Sequence, residues 1–201
     1  PLRRRDEWAH TNTCHVLPDG NILTSWRLLD QVAIVDKATG DFAWKWGRGV
    51  LGHQHDPNLL DNGNILIFDN GWHTLTAPSP GSRILEVNPK TNKVEWEYKT
   101  LPPWEFFSSF ISGSQRLPNG NTVICESGSG RLFEVTQEGK IVWQFTSPFY
   151  ADMGRYGLTN LVYKAKRYGA DDPALVGKDL SPRKYDWLLH RTFDDIGEPV
   201  A

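Results

Sequence analysis

Leu17-Pro18-Asp19-Gly20-Asn21-Ile22-Leu23 returns as Leu60-Asp61-Asn62-Gly63-Asn64-Ile65-Leu66 and again as Leu117-Pro118-Asn119-Gly120-Asn121-Thr122-Val123. Each copy sets Asp-Gly or Asn-Gly between apolar runs. That pair accepts the positive φ of a tight hairpin turn and is the strongest short-range hairpin signal. A second phrase follows each first one, over Ile34 to Trp46, Leu85 to Tyr98 and Phe133 to Phe145. It holds a turn between alternating strands and closes on Trp-x-aromatic, which puts two large rings on one face of a strand.

Each unit therefore reads as two hairpins, or four short antiparallel strands. The interval from turn glycine to tryptophan is similar in the first and third units (Gly20 to Trp44, Gly120 to Trp143). It is longer in the second (Gly63 to Trp96), where Trp72 to Gly81 accommodates the excess. Four-stranded units at this spacing are the signature of a β-propeller, against the alternative of a generic antiparallel sandwich. The expected architecture is all-β, with about three blades (units of about 8–48, 52–100 and 106–147) inside a region 1–149. Residues 150–201 are expected to form an irregular or mixed C-terminal extension. Within it, Gly157 to Arg167 reads as a strand or short helix and Pro182 to His190 as a short helix. Propellers usually close with four to eight blades, and open edges pair with something. The ring is therefore expected to be completed by other chains or by a missing N-terminal part; the Pro1 start favours the latter.

Composition agrees. Apolar residues form 39% of 201 residues, which excludes a fully disordered chain. Nine Trp, 18 Gly and 13 Pro fit short strands joined by many turns. Lys+Arg of 22 against Asp+Glu of 24 leaves a net charge of -2, so nucleic acid is not an expected partner. The basic run Arg3-Arg4-Arg5 reads as a solvated tail. No stretch has the ~20 apolar residues of a membrane span. Cys14 and Cys125 lack metal-type spacing, and a single bridge between them stays open.

Five of the six histidines (His10, His15, His53, His55 and His73) fall in the first two units, with His190 near the end. Strand starts and ends of successive blades can face one end of a central channel, so several imidazoles can converge there. Three readings compete: acid/base or nucleophilic chemistry, a metal site built from His10, His53, His55 and His73, and structural histidines at blade junctions. Arg27, Asp30, Asp56, Asp69, Asn70, Arg83 and Arg116 are further candidates. An arginine at a blade mouth can clamp sulfate, phosphate or carboxylate. Ser127-Gly128-Ser129-Gly130 lacks the lysine and the helix of a phosphate loop and reads as a blade turn.

Several of these segments together resemble the arylsulfotransferase family of bacterial β-propellers. Trp8-Ala9-His10-Thr11-Asn12-Thr13 is similar to that family's Trp-x-His-x-Asn-Ser segment. Ser25-Trp26-Arg27, then Asp36-Lys37-Ala38-Thr39-Gly40 and Trp44, is similar to its Ser-x-Arg blade. Gln54-His55-Asp56 leading to Phe68-Asp69-Asn70-Gly71, with Ser82-Arg83 after it, is similar to its Gln-His segment. The resemblance implies a six-bladed ring and sulfuryl transfer from an aryl sulfate to a phenol by way of a histidine. It implies that His10 and His55 hold sulfate oxygens, with Asn12, Arg27, Asp69 and Arg83 as substrate-binding candidates. The family's arginine after the Asp-Asn-Gly turn is replaced by Trp72-His73, so either His73 takes that catalytic place or the role is lost. A third histidine, the nucleophile, is expected before the third turn. Phe106 to Gln115 contains none, and the run from Ser112 to Gly120 looks like a divergent arylsulfotransferase-like branch. A direct transfer, or a non-catalytic binding or assembly module, is the alternative. The resemblance assigns no metal and no cofactor, and it implies a periplasmic or extracellular location. Asp36, then Thr39-Gly40, then Trp44 are also similar to the blade-docking repeats of quinoprotein dehydrogenases. Here the tryptophans are expected to lock adjacent blades by packing, and nothing marks a quinone site.

Overall fold

The three copies of the turn phrase fold identically. Each leucine (Leu17, Leu60, Leu117) receives the N–H of its glycine at 2.9 Å and donates its own N–H to the following asparagine carbonyl at 2.8 Å. Gly20, Gly63 and Gly120 sit at φ 85°, 84° and 86°. Only the glycine needs positive φ, so the loop is a three-residue turn ending in a left-handed residue, not a two-residue one. The computed structural model describes residues 7–73 and 80–181.

Around these turns the chain forms three antiparallel meanders. The first is β1 (Thr11–Val16), β2 (Ile22–Trp26), β3 (Gln31–Val35) and β4 (Phe42–Trp46). The second is β5 (His55–Leu59), β6 (Ile65–Asp69), β7 (Arg83–Asn88) and β8 (Lys93–Tyr98). The third is β9 (Gly113–Arg116), β10 (Thr122–Glu126), β11 (Arg131–Val135) and β12 (Ile141–Thr146). A two-residue pair follows, β13 (Ala151–Asp152) with β14 (Leu158–Thr159). The sheets are three consecutive blades of a β-propeller. β5 packs against β1 and β2, and β9 against β5 and β6.

The period-2 pattern of β6 explains the stacking. Ile65 and Ile67 join Leu17, Leu23, Val32 and Trp44 in the core between blades one and two. Leu66 and Phe68, on the other face, join Ile84, Tyr98, Phe106, Ile124 and Phe133 between blades two and three. In that second core the Phe68, Tyr98, Phe106 and Phe133 rings meet tilted or edge-on at 5.5–5.8 Å.

The outer tryptophans do lock the blades. The Trp44 indole donates to Asn92 Oδ1 of the next blade's outer turn at 2.9 Å, and the Trp96 indole to the Gln137 carbonyl at 2.7 Å. Arg116 adds a second clasp: it pairs with Glu86 at 2.7 Å and lies over the Trp96 ring at 4.5 Å.

Residues 150–167, expected within the C-terminal extension, belong to the same compact unit as the blades, and 168–201 form a second unit. Beyond β14 the chain runs extended without regular pairing along blade three. Val162 donates its N–H to Ser127, Ser127 Oγ donates to the Tyr163 carbonyl, and the Gln115 amide exchanges two bonds with the Arg167 backbone. Arg167 pairs with Glu134 and lies over Trp143 at 5.2 Å, repeating the place of Arg116 one blade on. The segment thus occupies the position of a fourth blade's first strand. The repeat is not visible in sequence because the turn phrase does not follow it. In the second unit a 3₁₀ turn at Pro173–Leu175 is capped by Asp172. The helix expected at Pro182 to His190 lies outside the described residues. Cys14 and Cys125 are both free thiols, so no bridge joins them.

The docking bond is measurable. Trp44→Phe and Asn92→Ala are each expected to cost about 1 kcal/mol in denaturant unfolding. The double variant is expected to cost little more than the larger single one, because both remove the same bond; full additivity would show that the indole–amide bond contributes nothing.

Candidate functional site

His15 lies further along β1, and His10, His53, His55 and His73 lie at one end of the blades. The β2–β3 and β6–β7 connections and the starts of β1, β5 and β9 meet there. Six non-glycine residues of this end adopt positive φ: His10 (51°), Asp30 (52°), His53 (61°), Asp56 (50°), Ile111 (45°) and Ser112 (86°). Such backbone costs about 1 kcal/mol or more per residue, and most for β-branched Ile111. Strain of this kind gathers where side chains must be aimed.

His55 is the centre of the first group. It is buried, with only 6% of its surface exposed. Its Nδ1 lies 2.7 Å from Asn70 Oδ1. Asn70 Nδ2 donates to the Ser108 and Ile111 carbonyls at 2.8 and 3.0 Å, which fixes the amide orientation. The oxygen therefore faces His55, so Nδ1 must carry the proton and Nε2 keeps its lone pair. Burial pushes the His55 pKa down to about 4, opposed by the Asn70 bond and by a hydrogen bond with the His53 backbone and helped by the Arg27 and His10 charges.

His55 lines a cavity of about 160 Å³ with Asn12, His15, Asp56, Tyr163 and Lys164. Lys164 Nζ lies 2.6 Å from Asp56 Oδ1. Asp56 Oδ2 is buried and accepts no hydrogen bond among the described residues. It packs against Gly113, where a Cβ would come within 2.3 Å of it. Asn12 Nδ2 donates to the Gln54 carbonyl at 2.8 Å. Fully buried Gln54 in turn donates to Ser25 Oγ and to the Trp26 and Gln31 carbonyls of blade one. A larger depression of about 580 Å³ lies at the opposite, turn end, between Leu17-Pro18 and Leu59-Leu60, away from His55.

The other expected site residues divide. His10 and Arg27 act electrostatically on His55, and the His10 ring also contacts Glu7 at 2.7 Å. Asp69 and Arg83 form a blade-wall pair at 2.8 Å. Asp69 also accepts the Gly52 and Gly71 N–H groups, while Arg83 reaches Glu97 and the Val50 carbonyl. Burial raises the Asp69 pKa against the pull of Arg83. His73 stands with Asp30 and His53 in a separate cluster, which includes neither His10 nor His55. The fold adds Lys164, and it gives Asn70 a role that its turn position does not suggest.

This geometry can be set beside known proteins. A family profile described as arylsulfotransferase (ASST) matches residues 3–148. The chain belongs to the arylsulfotransferase family. It is also 28% identical over 137 residues to the dehydrogenase subunit of a quinone-type alcohol dehydrogenase from Komagataeibacter europaeus, covering 62% of this chain and 18% of that protein. Among solved structures, a protein of unknown function from Bacteroides caccae superposes with a TM-score of 0.53 at 18% identity, over 73% of this chain and 48% of that one. Virginiamycin B lyase from Staphylococcus aureus gives 0.50 at 16% identity, over 74% and 44%. At these identities the structures speak for the propeller fold alone. The chain spans under a fifth of the curated relative and about half of each solved one.

Proton-coupled behaviour at this end of the blades follows from His55. Its folded pKa lies below the unfolded value of about 6.5, so the unfolded state binds more protons between the two. The stabilisation from neutral His55 is full above pH 6.5. It is lost as pH falls towards 4 and amounts to about 3 kcal/mol. Imidazole NMR is expected to show a neutral Nδ1–H tautomer titrating near 4. A midpoint near 6.5 would contradict the buried, Asn70-bound ring.

Proposed function

We propose that this chain contributes three blades of a six-bladed arylsulfotransferase-type ring that moves a sulfuryl group from an aryl sulfate to a phenol, with His55 as the attacking group. The observation that carries the reading is the fixed Nδ1–Asn70 bond, which leaves Nε2 of a cavity-lining imidazole as an unprotonated nucleophile. In that tautomer Nε2 has no proton to donate to a sulfate oxygen, so the sulfate-holding role fits His10, Arg27, Lys164 and Asn12 better than His55. No histidine is needed before the third turn.

In this reading Nε2 attacks sulfur, an N–S bond forms and the aryl O–S bond breaks. The phenolate leaves and takes a proton from water. The sulfurylated, cationic ring keeps its Nδ1 proton and donates it in a hydrogen bond to Asn70 Oδ1. The acceptor phenol oxygen then attacks sulfur and breaks the N–S bond, with Asp56 taking its proton. Arg27 and Lys164 offset the charge on the three sulfuryl oxygens, a contribution on the order of several kcal/mol in a partly dry cavity. Asp69 and Arg83 support the wall behind the site. Other chains or a further N-terminal part complete the ring, and the family resemblance favours the periplasm or cell surface. No helix among the described residues is long and apolar enough to cross a membrane.

The test uses 4-nitrophenyl sulfate with phenol as acceptor, together with native mass spectrometry to define the assembly assayed. Transfer is expected, with an intact-mass gain of one sulfuryl group in quenched samples. His55→Ala is expected to abolish the mass gain and to lower transfer by more than ~10³-fold. Lys164→Ala is expected to raise KM roughly tenfold, as loss of a charged contact does. Transfer undiminished in His55→Ala rejects the reading. No turnover by the complete assembly favours a non-catalytic binding module instead.

A further inference from the structure

We propose that Asp30, His53 and His73 form a binding site for a divalent transition-metal ion of the zinc class, separate from the His55 cavity. The three side chains come from three segments that the blades bring together: the β2–β3 turn, the approach to β5 and the stretch after β6. Their donor atoms all lie within 4.8 Å of one another. His73 Nε2 is 3.3 Å from Asp30 Oδ1. A tetrahedral ion with ligands at about 2.0–2.1 Å holds neighbouring donors about 3.3–3.4 Å apart. The His73–Asp30 pair already has that spacing, and the other donor separations, at most 4.8 Å, close on an ion by shortening by up to about 1.5 Å through side-chain rotation.

The donor set selects the class of metal. Two imidazole nitrogens and one carboxylate oxygen suit zinc and its first-row neighbours; calcium and magnesium prefer all-oxygen sites. The two rings meet edge to face with centroids 4.5 Å apart and an interplanar angle of 83°. Asp30 Oδ1 also accepts the His53 N–H at 2.8 Å, so the carboxylate is oriented by the backbone of a neighbouring ligand. Both Asp30 and His53 hold left-handed backbone, at 52° and 61°. That conformation is unfavourable away from glycine and fixes the two side chains close together.

Burial grades across the cluster. His53 is buried, Asp30 is half-buried and His73 is exposed. An ion arriving from solvent meets His73 first and is then enclosed by the other two. Three protein ligands leave a fourth position for water or an anion, the pattern of open rather than purely structural zinc sites.

The experiment reads metal binding alone and does not depend on sulfuryl transfer. The full chain, stripped with chelator, is titrated with Zn²⁺ by calorimetry and with Co²⁺ by absorption spectroscopy. One ion per chain is expected, with Co²⁺ bands of a four-coordinate nitrogen and oxygen site. His73→Ala and Asp30→Asn are each expected to weaken binding by about 100-fold or more. His55→Ala is expected to leave it unchanged, and circular dichroism verifies that every variant is folded. Absent or sub-stoichiometric binding to the wild type overturns the proposal. So does binding that survives His73→Ala, or binding that His55→Ala removes.

Discussion

Two buried amides pin the blades together at the end where the histidines gather, and the rest of the candidate site hangs on them. Gln54, fully buried just before β5, reaches back to three acceptors on blade one. Asn70, fully buried just after β6, reaches forward to two carbonyls ahead of blade three. Buried donors of this kind must be satisfied, because an orphaned one costs about 1–3 kcal/mol. Each amide therefore fixes the distance between successive blades as well as its own side chain. His55 inherits its position and its tautomer from Asn70.

The hydrophobic packing and this polar seam divide the work. Alternation along β6 sends Ile65 and Ile67 to one neighbour and Leu66 and Phe68 to the other, which makes the middle blade the core of the unit. That burial is non-directional and does not set register closely. The Trp44–Asn92 and Trp96–Gln137 bonds set it at the rim, and the amides set it at the opposite, histidine-bearing end. Blades so clasped can hold strained backbone at this end without relaxing it.

The repeat was legible because turn chemistry is local. An Asn-Gly or Asp-Gly between apolar runs states its own geometry, and the Trp-x-aromatic endings mark outer strands. Blade stacking followed from that pattern. The site was legible only in part. His10 and His55 stand before or at the first strands of their blades and Arg27 follows β2, so all three fall at the end where those segments gather. Asp69 and Arg83 lie in matching segments too, yet the partners that engage them, Gly52, Val50 and Glu97, come from elsewhere in the chain. No local pattern reports such pairing. Lys164 carried no signal, since it lies in a strand-like segment whose turn phrase is missing. Asn70 was among the candidates, but Asp-Asn-Gly explains itself as a turn, and what its amide does emerges only once residues 108 and 111 are folded against it.

The same backbone joins the two groups of candidate ligands. His53, Gln54, His55 and Asp56 are consecutive, and they serve the Asp30 cluster, the blade seam, the cavity imidazole and the cavity carboxylate in turn. Positive φ at His53 and Asp56 turns neighbouring side chains in directions that a regular strand, with its strict alternation, does not allow. The register shift between His55 and Asn58 is the consequence, since the strand regains its pairing only after the irregular stretch. A regular β5 would pair better with β6 and give a more stable sheet. The irregular one spends part of that stability to bring four polar side chains to three different places within a span of four residues.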